Sequence, residues 1–472
     1  GPTRRPCLPQ VIPIQIPSPV DSIMLRRRRN GLMAEGVWLE GTLADCPGEP
    51  LTDARISWKN GLPDALREVC NRITTAGGGI WLVGGSVREA MLEKTWKDLD
   101  LTTTLRPDEI EILFPRSIPT GAQYGTITVR IADSEIEFEV TTLRSEGSYG
   151  DGRRPNEVTF GLSLKEDLSR RDFTINAMAI DLARNLLHDP YGGRSDLDAK
   201  SLVAVGEATE RLGEDGLRVL RAYRFMDQQS RGVWEPDQQL AQALPNCGMM
   251  LEKVSQERIW SEFRRILSGQ HAPRILERMR DDGILSRILP GWGTHLEPQY
   301  QLSTAEKNIV VSRLVLLASS IPSARWRVLD HDMRSLTIPN DTRNRILRLH
   351  RILGHLPNDM ASCRRYRIKI GEDVNAHLDI EAALNSVQAK TAEAFLEQTP
   401  MPKAGVFPIV DGHLLSSVSG LPSGRRLGRL KEWLFRVQID QDLSTPDEVL
   451  ALLDILEWQT SNPEDWPEVS WP

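Results

Sequence analysis

Cysteine is scarce in this chain: Cys7, Cys46, Cys70, Cys247 and Cys363 are the five in 472 residues. Their odd number, their scatter and the lack of any Cys-x-x-Cys exclude a disulfide framework and a cysteine zinc site, and fit a reducing compartment. No apolar run approaches the ~20 residues of a membrane span. The Gly-x-x-x-x-Gly-Lys-Ser/Thr loop is missing, which weakens kinase and ATPase readings. Short repeats and low-complexity stretches are absent too. A net charge of −7 argues against wholesale coating of nucleic acid, though not against local basic patches. With 40 % hydrophobic and 26 % charged residues the composition is that of an ordinary globular protein. Its length suggests roughly two to four domains.

What is present begins at Trp81-Leu-Val-Gly84-Gly85-Ser-Val-Arg88 and runs to Asp98-Leu-Asp100. An apolar run enters a Gly-Gly turn, a helix follows, and a carboxylate pair closes the unit. Gly84 and Gly85 let the backbone approach a phosphate because no Cβ stands in the way. Ser86 and Glu89 have capping-box spacing, which predicts a helix start at the glycines. Asp98 and Asp100 lie two apart in an extended segment and share a face, where two carboxylates suit a hard cation such as Mg²⁺. Each half has a plainer reading, a simple turn and a solvated strand end. Together at this distance they point to nucleotidyl transfer.

Gly1-Pro2, with no initiating Met, reads as the scar of a protease cleavage. The rest of residues 1–34, with its prolines and Arg26 to Arg29, is expected to be a disordered basic arm. It is a solvated tail, a targeting remnant, or sequence upstream of a start at Met24 or Met33. Residues 62 to 76 predict a helix ending at Gly77. Ile127, Val129 and Ile131 alternate, as do Ile136, Phe138 and Val140, with Asp133-Ser134 as a hairpin turn. Ser163 and Glu166 form a second capping box, opening a helix through Arg171. The stretch from Ile175 reads as a strand and turn. Helical periods dominate from residue 193 to about 457, and the acidic, proline-punctuated tail after Trp458 is expected to be loose.

Two-metal nucleotidyl transfer needs about three carboxylates. Glu135, Glu137 and Glu139 share one strand face, and Glu139, nearest the strand end, is the candidate to join Asp98 and Asp100 in catalysis. A solvent-facing strand edge is the plainer reading and suits Glu135 and Glu137 better.

These segments, with Glu139-Val-Thr-Thr, Arg170-Arg-Asp-Phe-Thr-Ile-Asn-Ala177 and Glu214-Asp-Gly-Leu-Arg-Val-Leu-Arg-Ala-Tyr-Arg-Phe225, occur in the order of class II tRNA nucleotidyltransferases. The chain resembles those CCA-adding enzymes and their bacterial poly(A) polymerase relatives over residues 82 to 225, and only loosely beyond. Glu89 departs from the family's usual Asp. The resemblance implies an α+β protein: a palm-like α/β head carrying catalysis, then an all-helical neck, body and tail that bind tRNA. The corresponding segments are 55–192 for the head, 193–300 for the neck, 301–457 for the body and tail, and 458–472 for the loose end. It further implies Asp98 and Asp100 as metal ligands, Gly85 and Arg88 at the triphosphate, and Arg171, Asp172 and Asn176 at phosphate and ribose. A loop spanning Thr141 to Pro155 is associated in the family with the switch from C to A addition.

The last group, Asp215, Arg218, Arg221 and Arg224, has spacing i, i+3, i+6, i+9, one slowly turning helical stripe. Cytosine and adenine both present an exocyclic amine beside an unprotonated ring nitrogen. Asp215 can accept from the amine and Arg218 can donate to the nitrogen, whereas guanine and uracil reverse both contacts. Such pairs discriminate by about 1–3 kcal/mol each. Arg221 and Arg224 would face phosphate or a stacked base. A surface helix with ion pairs is the plainer reading.

Further on, Arg343, Arg345, Arg348, Arg351, Arg364, Arg365, Arg367 and Lys369 form a basic run against one acid, Asp359. Arg425, Arg426, Arg429 and Lys431 form another. Both suit RNA phosphates, with a solvated helix face as the alternative. His331 beside Asp332 reads as a surface pair rather than a phosphohydrolase centre. The expected function is addition of CCA, or its CC or terminal A part, to tRNA 3′ ends from CTP and ATP, with Mg²⁺ and release of pyrophosphate. Alternatives are poly(A) addition, against which the acidic C-terminus argues, and a catalytically silent RNA binder. The expected location is cytoplasmic, or organellar if the arm is a targeting remnant. Monomer and homodimer stay open, and no membrane is involved.

Overall fold

In the computed structural model, residues 18, 21–23, 44–132, 134–145, 159–161, 163–293, 302 and 306–472 are described. Most of the basic arm, Asp133 and the loop beyond residue 145 lie outside them. Two compact units emerge, residues 1–226 with 234–254, and residues 227–233 with 255–472.

The first unit is built on an eight-stranded sheet of order β1-β10-β9-β2-β3-β6-β5-β4. Its strands are β1 (Gly48–Pro50), β2 (Ile80–Val83), β3 (Asp100–Thr103), β4 (Ile118–Gly121), β5 (Thr126–Arg130), β6 (Glu137–Thr142), β9 (Ala179–Asp181) and β10 (Leu186–His188). The short strands β7 (Arg144–Ser145) and β8 (Thr159–Phe160) pair separately. Only β3 and β6 pair in parallel within the large sheet. The period-two pattern holds in β6, where Phe138, Val140 and Thr142 are buried while Glu137 and Glu139 face outward. On β5, Arg130 Nε donates to Glu137 at 2.7 Å, so Glu137 takes the plain role of a solvent-facing ion-pair partner, on a strand paired on both sides.

Helices α1 (Asp53–Asn60), α2 (Asp64–Thr75), α3 (Gly85–Met91), α4 (Pro107–Leu113), α5 (Leu164–Ser169) and α6 (Gly193–Asp198) accompany this sheet. Apolar residues Leu66, Val69 and Ile73 of α2 recur at helical spacing and are fully buried, as their period predicts. A core of Trp81, Val83, Leu143, Leu164, Leu168, Ala177 and Ala179 ties β2 and β9 to α5. After the short ladder β11 (Ser201–Leu202) with β12 (Glu235–Pro236), helices α7 (Ala208–Glu214), α8 (Leu217–Met226) and α9 (Gln238–Asn246) complete the unit. The compact unit thus runs past residue 192, where the sequence places the end of the head.

Ser163 caps α5, accepting from the Glu166 N–H at 3.0 Å, but the helix ends at Ser169 rather than running through Arg171. The first capping box does not form. Ser86 is buried and donates to the Val83 carbonyl at 2.9 Å, while Glu89 accepts from the Lys97 N–H at 3.2 Å. With Gly84 and Gly85 turning the chain, the hydroxyl reaches back to the strand end rather than forward to the helix.

The second unit is helical: α10 (Gln256–Leu267), α11 (Ala272–Asp281), α12 (Leu285–Ile288), α13 (Glu306–Leu317), α14 (Trp326–Ser335), α15 (Asn340–Arg351), α16 (Met360–Ile370), α17 (Val374–Leu384), α18 (Ser386–Gln398), α19 (Gly412–Ser419), α20 (Arg425–Gln441) and α21 (Pro446–Leu450). No described helix is long and apolar enough to cross a membrane.

The tail after Trp458 is not loose. Trp466 and Val469 are buried, and Trp466 joins Leu427, Leu430 and Leu434 of α20 in one cluster. Arg426 donates to the Trp458 and Gln459 carbonyls at 2.9 and 3.0 Å, and Arg436 to the Glu468 carbonyl at 2.9 Å. Arginines on α20 therefore satisfy a segment without regular backbone pairing. Asp332 is another correction: it is buried and accepts from the Gly291 N–H at 2.7 Å, while His331 is exposed.

Candidate active site

The pairing of β3 with β6 sets Asp100 directly beside Glu139, since the two are register partners in a parallel pair. Parallel partners point to the same face, so the carboxylates are neighbours by backbone geometry alone. Asp98 is exposed, Leu99 buried and Asp100 partly buried, the alternation that puts both aspartates on one side. Burial, then the charge of Glu139, holds the Asp100 carboxyl above its usual value, with Asp98 and Glu89 adding to the push and Arg171 opposing it. Among the described residues no group of three or more His, Cys, Asp or Glu side chains closes into a metal cage. The carboxylates form an electrostatic cluster rather than a finished coordination sphere.

The second pole is positive. Asp172 is buried and accepts from the Phe173 N–H and from Asn176 Nδ2, each at 2.9 Å, and from Arg221 Nε at 2.6 Å. Burial pushes the Asp172 carboxyl up, but Arg221, Asn176 and the Phe173 N–H outweigh it and leave it lowered. Asn176 in turn accepts from Arg88. The guanidinium carbons of Arg88, Arg221 and Arg224 lie 5.1, 5.4 and 4.2 Å from the centroid of the Phe225 ring. Burial, then the charge of Arg224, pushes the Arg88 guanidinium below its usual value; Arg221 adds to this, against Asp172 and Glu89. Three cations around one aromatic ring make a ready anion site.

The Gly84–Gly85 turn lies against both poles. A Cβ on Gly84 would sit 3.4 Å from Asp100 Oδ2 and 3.5 Å from Arg171 Nη1, and one on Gly85 would sit 3.8 Å from Arg88 Nη2. Gly84 also has φ of +71°, which side chains rarely adopt. Arg171 is steered by Asp167 and by the Asn176 carbonyl, each 3.5 Å away.

One expected arrangement is corrected. Asp215, Arg218, Arg221 and Arg224 do not share one helix. Asp215 lies in extended backbone at the end of α7, and α8 begins at Leu217. The Asp215 carboxylate accepts from the Leu217 N–H at 3.1 Å. Gly216 makes the break possible, since a Cβ there would lie 2.2 Å from the Met250 carbonyl oxygen. Arg218 donates to the carbonyls of Arg211 and Arg170 at 2.8 and 2.7 Å and to Glu214.

The basic clusters serve the fold more than the sequence suggests. Arg343 pairs with Asp330 at 3.2 Å, and Arg345 and Arg348 share Asp373. Arg364 is buried against the Asp440 carbonyl at 3.1 Å, and Arg365 pairs with Asp440. Arg425 pairs with Glu464 at 2.7 Å while staying exposed. Arg351 is exposed at the end of α15. Sequence reasoning missed Phe225 as the platform for the three arginines and Asp167 as the partner of both Arg170 and Arg171. The spacings Arg221/Phe225 and Asp167/Arg171, each i,i+4, carried the signal.

Residues 80–203 match the poly(A) polymerase head domain, and residues 235–295 match the probable RNA and SrmB-binding site of polymerase A. The class is therefore that of a polymerase-A-type head followed by a segment similar to the probable RNA-binding region of such polymerases. A CCA-adding enzyme of Lactobacillus johnsonii is 33 % identical over 406 residues, covering 83 % of this chain and 98 % of the relative. The chain belongs to the family of class II CCA-adding enzymes and poly(A) polymerases. A CCA-adding enzyme of Listeria monocytogenes serotype 4a is 44 % identical over 209 residues, which is 44 % of this chain and 52 % of that protein. The aligned chain thus spans about half the length of that relative. In fold, the chain is similar to the Bacillus stearothermophilus CCA-adding enzyme in complex with CTP, at a TM-score of 0.64 and 24 % identity over 83 % of this chain and 96 % of that one. It is likewise similar to the Thermotoga maritima CCA-adding enzyme complexed with tRNA, at 0.63 and 18 % over 87 % and 99 %.

Proposed function

We propose that the chain is a template-independent, metal-dependent nucleotidyltransferase that adds CCA, or its CC or terminal A part, to tRNA 3′ ends from CTP and ATP. The observation that carries this reading is the glycine turn held between a carboxylate cluster and an arginine cluster. A nucleoside triphosphate with a divalent ion has the same two poles, reversed in sign.

An oxygen-only donor set, with the Asp100 carboxyl pushed up by burial and then by the charge of Glu139, fits a hard cation such as Mg²⁺, and the room beside Asp100 that a Cβ would fill agrees. Asp98 and Asp100 would hold it, with Glu139 beside them. When bound, the ion supplies activation of the 3′-hydroxyl and neutralises charge on the departing pyrophosphate. Arg88, Arg221 and Arg224 bind and orient the triphosphate, with Arg88 anchored on Asn176 and Arg221 on Asp172. Gly84 and Gly85 admit it close to the backbone. Arg171, held by Asp167, faces the phosphate from the carboxylate side. Base selection is assigned to Asp215 and Arg218. Arg218 exchanges its bond to Glu214 for the base, a partner it shares with Arg211.

Asp98 is exposed, so Asp98→Ala leaves the fold intact. Nucleotide incorporation is expected to fall at least ~100-fold, with RNA binding retained. Retained incorporation would remove Asp98 from the metal site, and lost RNA binding would count against the metal role. A second reading, the same chemistry making poly(A) tails, is favoured by the polymerase-A match of the head.

A further inference from the structure

In the helical unit, a cavity of about 330 Å³ opens beside Trp326, where α14 begins, and along α15. Asn344, Leu347, Arg348 and Arg351 line it from one face of α15, at i, i+3, i+4 and i+7. Trp326 is 43 % exposed, an unusual state for so large a residue, and the Arg327 guanidinium lies 4.9 Å from the centroid of its ring. His350 is not a reacting group here: it is buried, with Nε2 3.0 Å from the Ala318 carbonyl oxygen. Among the described residues the lining holds no carboxylate.

We propose that this cavity binds one nucleotide unit, a flat base with its phosphate, presented by an RNA strand. Trp326 offers the base a stacking face, and Arg327 already lies against the ring. Leu347 supplies an apolar wall. Asn344 carries both a donor and an acceptor for the base edge. Arg348 and Arg351 meet the phosphate, with Arg351 carrying more of it because Arg348 also binds Asp373. The size suits one small ligand. The RNA strand as its source rests on the function proposed above; the chemistry of the cavity does not. It also gives the basic run a defined role, since Arg343, Arg345, Arg364 and Arg365 are tied into the fold.

The test is amide hydrogen exchange on the full chain at fixed salt, titrated with a short single-stranded oligoribonucleotide, with CMP or AMP, and with inorganic phosphate. The oligoribonucleotide is expected to slow exchange in Trp326–Ser335 and Asn340–Arg351. Trp326→Ala should weaken that protection about tenfold, Trp326→Phe should keep it, and Arg351→Ala should weaken it several-fold. Equal protection by CMP or AMP, with the same variant pattern, supports the site with a free nucleotide as its source. Protection by phosphate alone with Trp326→Ala unchanged, or no protection at all, overturns the proposal. Asp98→Ala separates the two readings, because it should lose incorporation and retain this protection.

Discussion

Asp100 is partly buried beside Glu139 and near Asp98 and Glu89, and its carboxyl is raised for that reason. A raised acid is easier to ionise in the unfolded chain than in the folded one. The folded state therefore loses stability as pH climbs from the ordinary carboxylate value up through the raised one. Asp100→Asn is accordingly expected to raise the melting temperature at neutral pH in metal-free buffer, and the gain should vanish below the ordinary carboxylate range. Added Mg²⁺ should raise the melting temperature of the parent more than that of the variant. Thermal melts at several pH values check this, and a variant less stable at neutral pH would contradict it. At this scale the sequence was informative where side chains alternate. Asp98, Asp100 and Glu139 were legible because strand periodicity fixes which way they point. The hydroxyl of Ser86 was not, since its partner, the Val83 carbonyl, became available only through the turn geometry at Gly84.

Among elements, the break between α7 and α8 decides where Asp215 and Arg218, the residues proposed to select the base, stand. Four residues at multiples of three read as one helical stripe, and the stretch from Asp215 to Arg224 holds no proline to contradict it. Gly216 breaks the stripe because the chain passes within contact of the Met250 carbonyl, a residue 34 positions away. Long-range backbone packing of this kind leaves only a glycine as its local trace. Gly216→Ala is expected to destabilise the first unit by about 2–3 kcal/mol. Gly213→Ala, a few residues earlier in α7 with open space around its Cβ position, should be neutral or slightly stabilising. Denaturant unfolding of the two variants checks this, and equal effects would contradict the packing argument. The pairing of β5 and β6, by contrast, was legible, because both strands alternate and they pair antiparallel; the expected turn at Asp133 lies outside the described residues.

For the whole molecule, a sheet-containing N-terminal part and a mostly helical remainder were readable from the change in periodicity near residue 193, although the first compact unit runs on to residue 254. The C-terminal tail was not. Its composition is that of a disordered segment, but Arg426, Arg429 and Arg436 on α20 hold its carbonyls, and Trp466 packs beneath them. Composition counts only what a segment carries, whereas order here comes from partners some thirty residues earlier. The same limit applies to the first basic run, whose arginines are largely engaged by Asp330, Asp373 and Asp440. The central claim, nucleotide addition to tRNA at the two-poled site, is tested most directly by Mg²⁺-dependent extension of three tRNA transcripts ending at the discriminator base, at C and at CC. Each is offered CTP, ATP or both. The account predicts addition of C, C and A in order, or of one part of that series, and never of U or G. Long A tails would establish the poly(A) reading instead, and absence of incorporation on all three would contradict the account.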